Sequence, residues 1–261
     1  MTQTRYPVVF AGAGPGDPDL ITVKAMKALN RADVIIYAGS LVPVSVLTWK
    51  GPRAKTISSA DLNLEQIVDI MATHHRNGKA VVRLHTGDPS LYGAIFEQMQ
   101  ALKTRRIPYQ AIPGVTAAFA AAAAMTMEYT LPETTQTLIL TRISGRTPVP
   151  DSENLESLAA HRASMAVYLS MGHVSKVAEI LATHYGRDAW CAVAYKVSHP
   201  DEQIVYCRIS DLDTTCREHQ ITRHALIIVG KAVAACLENQ DLLKSKLYDA
   251  GFSHGYRSAK Q

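Results

Sequence analysis

The first 115 residues alternate between short apolar runs and amphipathic stretches, and this alternation limits the possible folds more than any other feature. "YPVVFAGAG" (6–14), "DVIIYAG" (33–39), "AVVRLHTGD" (80–88) and "IPYQAIPG" (107–114) read as buried strands. Between them, "PDLITVKAMKALNRA" (18–32), "LNLEQIVDIMATHHRNGK" (62–79) and "SLYGAIFEQMQALKTRR" (90–106) carry helical periodicity. The second of these is expected to end at Gly78 as a C-cap. Strands joined by helix-length connections pair in parallel, with the helices covering both faces of the sheet.

The texture changes near Thr116. "TAAFAAAAAMTM" (116–127) is an alanine-rich helix whose small side chains let a neighbour approach its backbone closely. A β-rich, proline-punctuated stretch follows, "TLPETTQTLILTRISGRTPVP" (130–150). Further strands are expected at "MAVYLSM", "AVAYKVS", "QIVYCRI" and "HALIIVGKA", and helices at "VSKVAEILATHYG" and "ISDLDTTCREHQ". The second half thus reads as a mixed α/β domain with antiparallel strands. We place the domains at 1–115 and 116–237, with a tail, 238–261, holding one weakly amphipathic stretch, "DLLKSKLYDAG".

With 47% hydrophobic and 19% charged residues, the 261-residue chain has a globular rather than a disordered composition. The net charge of +4 is spread thinly, and no Lys/Arg run is dense enough to track a nucleic-acid backbone. The four cysteines, Cys191, Cys207, Cys216 and Cys236, form no CxxC pair and read as reduced thiols of a cytoplasmic protein. His74 and His75 point to different faces of their helix and make a poor metal pair, so no metal site is expected. "MTQTRYP" runs straight into a strand, so no signal peptide is expected, and the alanine-rich helix is too short to span a bilayer.

"GAGPGD" resembles a nucleotide-binding loop but departs from both familiar forms. A dinucleotide fingerprint requires a third glycine where this chain has Asp17, whose carboxylate would repel a pyrophosphate. Asp33 lies at the start of the second strand, not at its end, and no lysine follows the glycines as a P-loop requires. What remains is a turn in which Gly12, Gly14 and Gly16 permit positive φ while Pro15 and Pro18 fix the intervening geometry. Alone, such a turn is simply a tight strand-to-helix connection. Yet "HTGDPSLYG" and "IPGVT" also follow strands, and three such loops converge on the sheet edge where open α/β folds place ligands. Thr116 suits an N-cap there, with free N–H groups behind it.

Taken in order, "GAGPGDPDLIT", "HTGDPSLYG" and "PGVTAAFAAAAA" resemble the signature segments of the tetrapyrrole methylases, S-adenosylmethionine-dependent enzymes of cobalamin and sirohaem synthesis. "TQTLILTRISGRTPVP" and "YKVSHPDEQIV" resemble the branch that methylates C11 of precorrin-4, metal-free or cobalt-bound; the likeness runs from about Val8 to Ala232. It implies two α/β domains, the cofactor folded in a cleft between them, and a homodimer. Pro15 would line the cleft floor. Thr86, Gly87, Asp88 and Leu91 would contact the cofactor, with Thr116 and Ala117 at its amino-acid or sulfonium end. Leu169 and Val197 would close over the adenosine, with Met171 as the alternative to Leu169, and the Ala225 backbone would reach the adenine.

Methyl transfer requires donor and nucleophile to be held close and in line. Asp88 is the nearest ionisable residue in a motif that could act as a base, although capping the following helix is an equally good role for it. The polycarboxylate tetrapyrrole calls for cationic and hydroxyl partners; Arg142 and Arg146 are the first candidates and Lys196 a weaker one. Any single arginine is more simply a solvated charge. His85 and Tyr92 stand beside the Gly87 loop and could touch the substrate or merely fill their surroundings. The nearest alternative activities are those of sibling enzymes: a uroporphyrinogen or precorrin-2 methylase, diphthine synthase, or a ribosomal-RNA ribose methylase. A nicotinamide-dependent dehydrogenase and a non-catalytic ligand-binding protein are the alternatives of other classes.

Overall fold

The structure is a computed structural model that describes residues 6–39, 42–238 and 245–259. The "MTQTR" start and the first part of the expected tail helix, 241–244, lie outside the described residues. Within them, Lys246–Tyr248 forms a single 3-10 turn.

By contact density the chain divides into two units, residues 1–120 with Ser198–Pro200, and the remainder. In the first unit, strands β1 (Val8–Gly12), β2 (Val34–Tyr37), β3 (Lys55–Ser58), β4 (Val81–His85) and β5 (Tyr109–Ile112) form a sheet in the order β3-β2-β4-β1-β5. Every pairing is parallel. Helices α1 (Val23–Arg31), α2 (Leu64–Arg76) and α3 (Phe96–Thr104) connect them, and α4 (Ala117–Ala124) follows β5. Side-chain alternation along the strands divides the core into two layers. Ala11, Ile35, Val82 and Leu84 pack with Leu29 of α1. Phe10, Val34, Ile36 and Val81 pack with Val68 and Met71 of α2 and Leu102 of α3.

The helix ends are set by side chains. Thr22 caps α1 by accepting from the Ala25 N–H. Asn63 and Gln66 form a reciprocal capping box on α2, and such caps contribute about 1 kcal/mol each. The helix expected from Ser90 begins only at Phe96, because Tyr92 (φ 55°) and Ala94 (φ 48°) turn into the left-handed region first. Strand β3 is absent from the sequence reading. It is a four-residue edge strand with three exposed residues, so it carries no buried apolar run.

The second unit holds β6 (Leu138–Arg142), α5 (Leu155–Ala159), β7 (Ser164–Tyr168), α6 (Val174–Tyr185), β8 (Trp190–Tyr195), β9 (Gln203–Arg208), α7 (Leu212–Glu218), β10 (Ala225–Val229) and α8 (Lys231–Leu237). Its sheet runs β6-β7-β10-β8-β9, parallel between β6 and β7 and antiparallel elsewhere. Its core gathers Met165, Val167, Leu181, Val193, Ile209, Leu212 and Ile227. The short helices α5 and α8 are too brief to show periodicity in the sequence. Among the described residues, no helix is long and apolar enough to cross a membrane.

Candidate active site

The three glycine loops leave the carboxyl ends of β4, β1 and β5, which are neighbours in the sheet. The connection from β1 runs towards β2 on one side of this trio, and that from β4 runs to β5 on the other. A reversal of winding of this kind is where parallel sheets open a crevice for ligands.

Backbone contacts stitch the loops together. The Ala13 N–H donates to His85 O at 2.7 Å, and Gly87 N–H donates to Gly14 O at 2.7 Å. Thr22 Oγ1 reaches Pro113 O at 3.4 Å. A Cβ on Gly12 would sit 2.5 Å from Gly87 O and 2.6 Å from Gly114 Cα, so no side chain fits where the three backbones meet. Gly87 itself has φ 59°. The first loop is also held from within its unit: Asp17 N–H donates to Ser198 Oγ at 2.9 Å, and the His199 ring lies against Gly16.

Asp88 fixes the second loop to the third. One carboxylate oxygen accepts from Ser90 N–H at 2.8 Å and from Ser90 Oγ; the other accepts from Gly114 N–H at 2.9 Å. Burial alone would raise its pKa. The hydrogen bonds from Ser90 Oγ, Gly114 N–H and Ser90 N–H outweigh burial and hold the carboxyl below the usual range. Its oxygens are thus occupied in joining two loops. Beyond Gly114, Thr116 is buried and α4 starts at Ala117, with Phe119 and Ala120 N–H bonded back to Thr116 O.

Asp17 and Asp33 also have structural roles. Asp17 caps the 3-10 turn Pro18–Leu20 by accepting from Asp19 N–H. Asp33, just before β2, accepts from Ala80 N–H at 2.9 Å and pairs with Lys79. Neither is placed as a dinucleotide site requires.

His85, Thr86, Leu91 and Tyr92 line one cavity of about 290 Å³ beside the carboxyl end of β4. His85 stacks on Phe10, with ring centroids 6.1 Å apart. Burial, with a smaller contribution from the nearby Arg83 charge, pushes its pKa down to about 3. The ring is therefore neutral in the folded protein, whereas in the unfolded chain it titrates near 6.5. Below that value the unfolded state binds a proton that the folded state refuses, so stability falls as pH drops from 6.5 towards 3. Between pH 7.5 and 5 this group alone accounts for about 2 kcal/mol of loss. Urea unfolding at both pH values checks this: His85→Gln should lose most of that difference relative to wild type, and an unchanged difference would contradict it.

Arg83, which the sequence reading passed over, shares this cavity and is 4% exposed. Its signal was a charged residue inside the apolar run "VVRLH". Nε donates to Gln98 Oε1 at 3.2 Å and Nη1 to Ile36 O at 3.3 Å.

In the second unit the residues singled out from the sequence gather at one end of its sheet. Leu169 follows β7, Lys196 and Val197 follow β8, and Ala225 opens β10 opposite Tyr195. Leu169 (φ 51°) is exposed, whereas Met171, Val197 and Ala225 are buried. Arg142 ends β6, but its guanidinium braces its own loop: Nη1 donates to Ile143 O and Thr147 O, and Nη2 to Pro148 O at 2.8 Å. Lys196 pairs with Asp201 and lies over the Tyr195 ring. Arg146 is exposed on the loop after β6.

Does the first unit suit S-adenosylmethionine? Close packing of the Gly12, Gly87 and Gly114 backbones holds the three loop ends together without side chains between them, and the Ala117 N–H at the start of α4 suits a carboxylate. The Asp88 carboxylate, which joins the second and third loops, has both oxygens taken by Ser90 and Gly114. The residues present fit the group.

Fold and loops together define a two-unit α/β protein of the methylase kind, and residues 7–213 match the family model for tetrapyrrole (corrin/porphyrin) methylases. The chain belongs to that family. It is 47% identical to the cobalt-precorrin-4 C(11)-methyltransferase of Priestia megaterium, over 94% of this chain and 95% of that one. It is also 47% identical to the precorrin-4 C(11)-methyltransferase of Pseudomonas aeruginosa, over 96% and 98%. A solved cobalt-precorrin-4 methyltransferase superposes with a TM-score of 0.83 at 46% identity, covering 86% of this chain and 95% of that one. A uroporphyrin-III C-methyltransferase from Thermus thermophilus, solved with S-adenosylhomocysteine, superposes with a TM-score of 0.71 at 26% identity, covering 88% and 94%.

Proposed function

We propose that this chain methylates C11 of precorrin-4 or cobalt-precorrin-4, with S-adenosylmethionine as methyl donor, in the making of the cobalamin ring. The observation that carries the reading is the side-chain-free meeting of Gly12, Gly87 and Gly114, in a chain 47% identical over nearly its whole length to enzymes named for that reaction. Bound S-adenosylmethionine supplies a methyl group on positively charged sulfur. The chain's own contribution is to bind and orient, and good alignment of donor and acceptor is worth a large part of the barrier.

In this reading the backbone at Pro15, Thr86, Gly87 and Thr116 shapes the cofactor's seat, Ala117 N–H caps its carboxylate, and Leu91 packs on it. The family likeness assigns Leu169, Val197 and Ala225 to the adenosine. His85, Tyr92, Arg146 and Lys196 meet the tetrapyrrole, while Arg142 shapes the loop that carries Arg146. Asp88 positions loops rather than moving a proton. We read the enzyme as a cytoplasmic homodimer; sedimentation of the purified protein tests the homodimer.

The test of function is an anaerobic incubation with S-adenosylmethionine and, separately, precorrin-4, cobalt-precorrin-4, precorrin-2 and uroporphyrinogen III. A mass gain of one methyl on either form of precorrin-4, faster than on the other two tetrapyrroles, is the expected result, and the faster form assigns the metal state. Faster methylation of uroporphyrinogen III or precorrin-2 would move the chain to a sibling activity.

A further inference from the structure

The cavity beside β4 has a charge pattern that the cofactor seat does not explain. Arg83 and His85 project from β4 onto the face covered by α2 and α3, and each is 4% exposed. Burial lowers Arg83 only to about 10, so the guanidinium stays charged at neutral pH. Among the described residues no carboxylate pairs with it, and its Nη2 makes no hydrogen bond. Removing a cation from water without a counter-charge is strongly unfavourable, and such groups are normally paired.

His85 Nε2 is enclosed and has no hydrogen-bond partner among the described residues. Its neutral ring can carry the proton there and donate it. The start of α3, at Phe96, has no side-chain cap, so its N-terminal end adds partial positive charge on the same side. Gln98, already bound through Oε1 to Arg83 and through Nε2 to Ala94 O, fixes the guanidinium's orientation. The opposing element is Glu97, an exposed carboxylate on the cavity wall.

We infer that this cavity seats one carboxylate arm of the tetrapyrrole, with Arg83 supplying the charge and His85 a neutral donor. The inference rests on the proposed substrate class and adds a specificity-determining pair to it. A carboxylate here completes the hydrogen bonding of both buried groups, and a tetrapyrrole esterified at that arm leaves them unpaired. In this assignment the pair acts on substrate binding and register.

Arg83→Met keeps the bulk of the side chain and removes its charge. In the folded variant, KM for the preferred form of precorrin-4 is expected to rise about tenfold or more, with S-adenosylhomocysteine affinity within about twofold of wild type. An unchanged KM in a folded Arg83→Met protein overturns the inference. Should that variant not fold, the wild type decides, with sodium propionate as probe and the His85 ring nitrogens followed by NMR. A saturable shift that sodium chloride does not produce is expected, and its absence overturns the inference. If wild-type enzyme methylates neither form of precorrin-4, the functional reading fails, while the propionate titration still reports on the cavity. A His85 shift on adding S-adenosylhomocysteine alone would assign the cavity to the cofactor and overturn the carboxylate assignment.

Discussion

Gly114→Ala is expected to abolish measurable S-adenosylhomocysteine binding and to lower stability by about 3 kcal/mol. The added methyl would fall well inside contact distance of Gly87 O and 2.9 Å from Gly12 Cα, and both neighbours are backbone. A side chain could rotate away, but these atoms belong to the ends of β4 and β1, which are fixed by the sheet register Gly12↔His85. The loops must therefore separate, which breaks the Asp88–Gly114 tie and displaces the loop backbones assigned to the cofactor seat. Gly172→Ala is the control, since nothing lies within 4 Å of a Cβ there. Urea unfolding and calorimetric titration measure both variants. Wild-type affinity in Gly114→Ala would show that the loops do not form the cofactor seat.

Asp88→Asn separates a positioning role from a catalytic one. An amide can keep the bonds from Ser90 only by turning its NH2 towards Gly114 N–H, so one donor loses its acceptor, and the charge is gone from the rest. The expected cost is about 1–3 kcal/mol of stability, with a comparable loss of cofactor affinity. A general base would behave differently: kcat would fall by about 10²–10⁴ with cofactor affinity intact. The carboxyl sits below its ordinary range when folded. Its contribution is thus present above the unfolded value and lost as pH falls through the folded one. Asp88→Asn should remove that acid-side loss, and a variant that keeps it would point to another carboxylate.

The alternation of apolar strands and periodic helices made the parallel sheet legible, because a strand buried on both faces leaves a continuous apolar run such as "VVFA" or "VIIY". Strand β3 stayed hidden because edge strands need no such run, and α5 and α8 because seven residues or fewer span about two turns. The late start of α3 was hidden because Tyr92 and Ala94 adopt left-handed backbone without a glycine to mark it. Of the three glycines read as permitting positive φ, Gly14 adopts it, whereas Gly12 and Gly16 are required by the close approach of Gly87 and Gly114 backbone and of the His199 ring. The partners of the charged residues were not legible: Arg142 and Asp88 use polar atoms on neighbouring loop backbone or on Ser90, ties that no sequence spacing announces. Conversely, Arg83 stood in plain view within a strand, and only its burial without a carboxylate gives it meaning.

The most direct test of the account is to follow the methyl group itself. S-adenosylmethionine labelled with ¹³C in the methyl is incubated anaerobically with the enzyme and the preferred form of precorrin-4, and the product is examined by NMR. A single labelled methyl at C11, formed with an equal amount of S-adenosylhomocysteine, is the predicted result. Label on any other ring carbon, or no transfer despite tight S-adenosylhomocysteine binding, would contradict it.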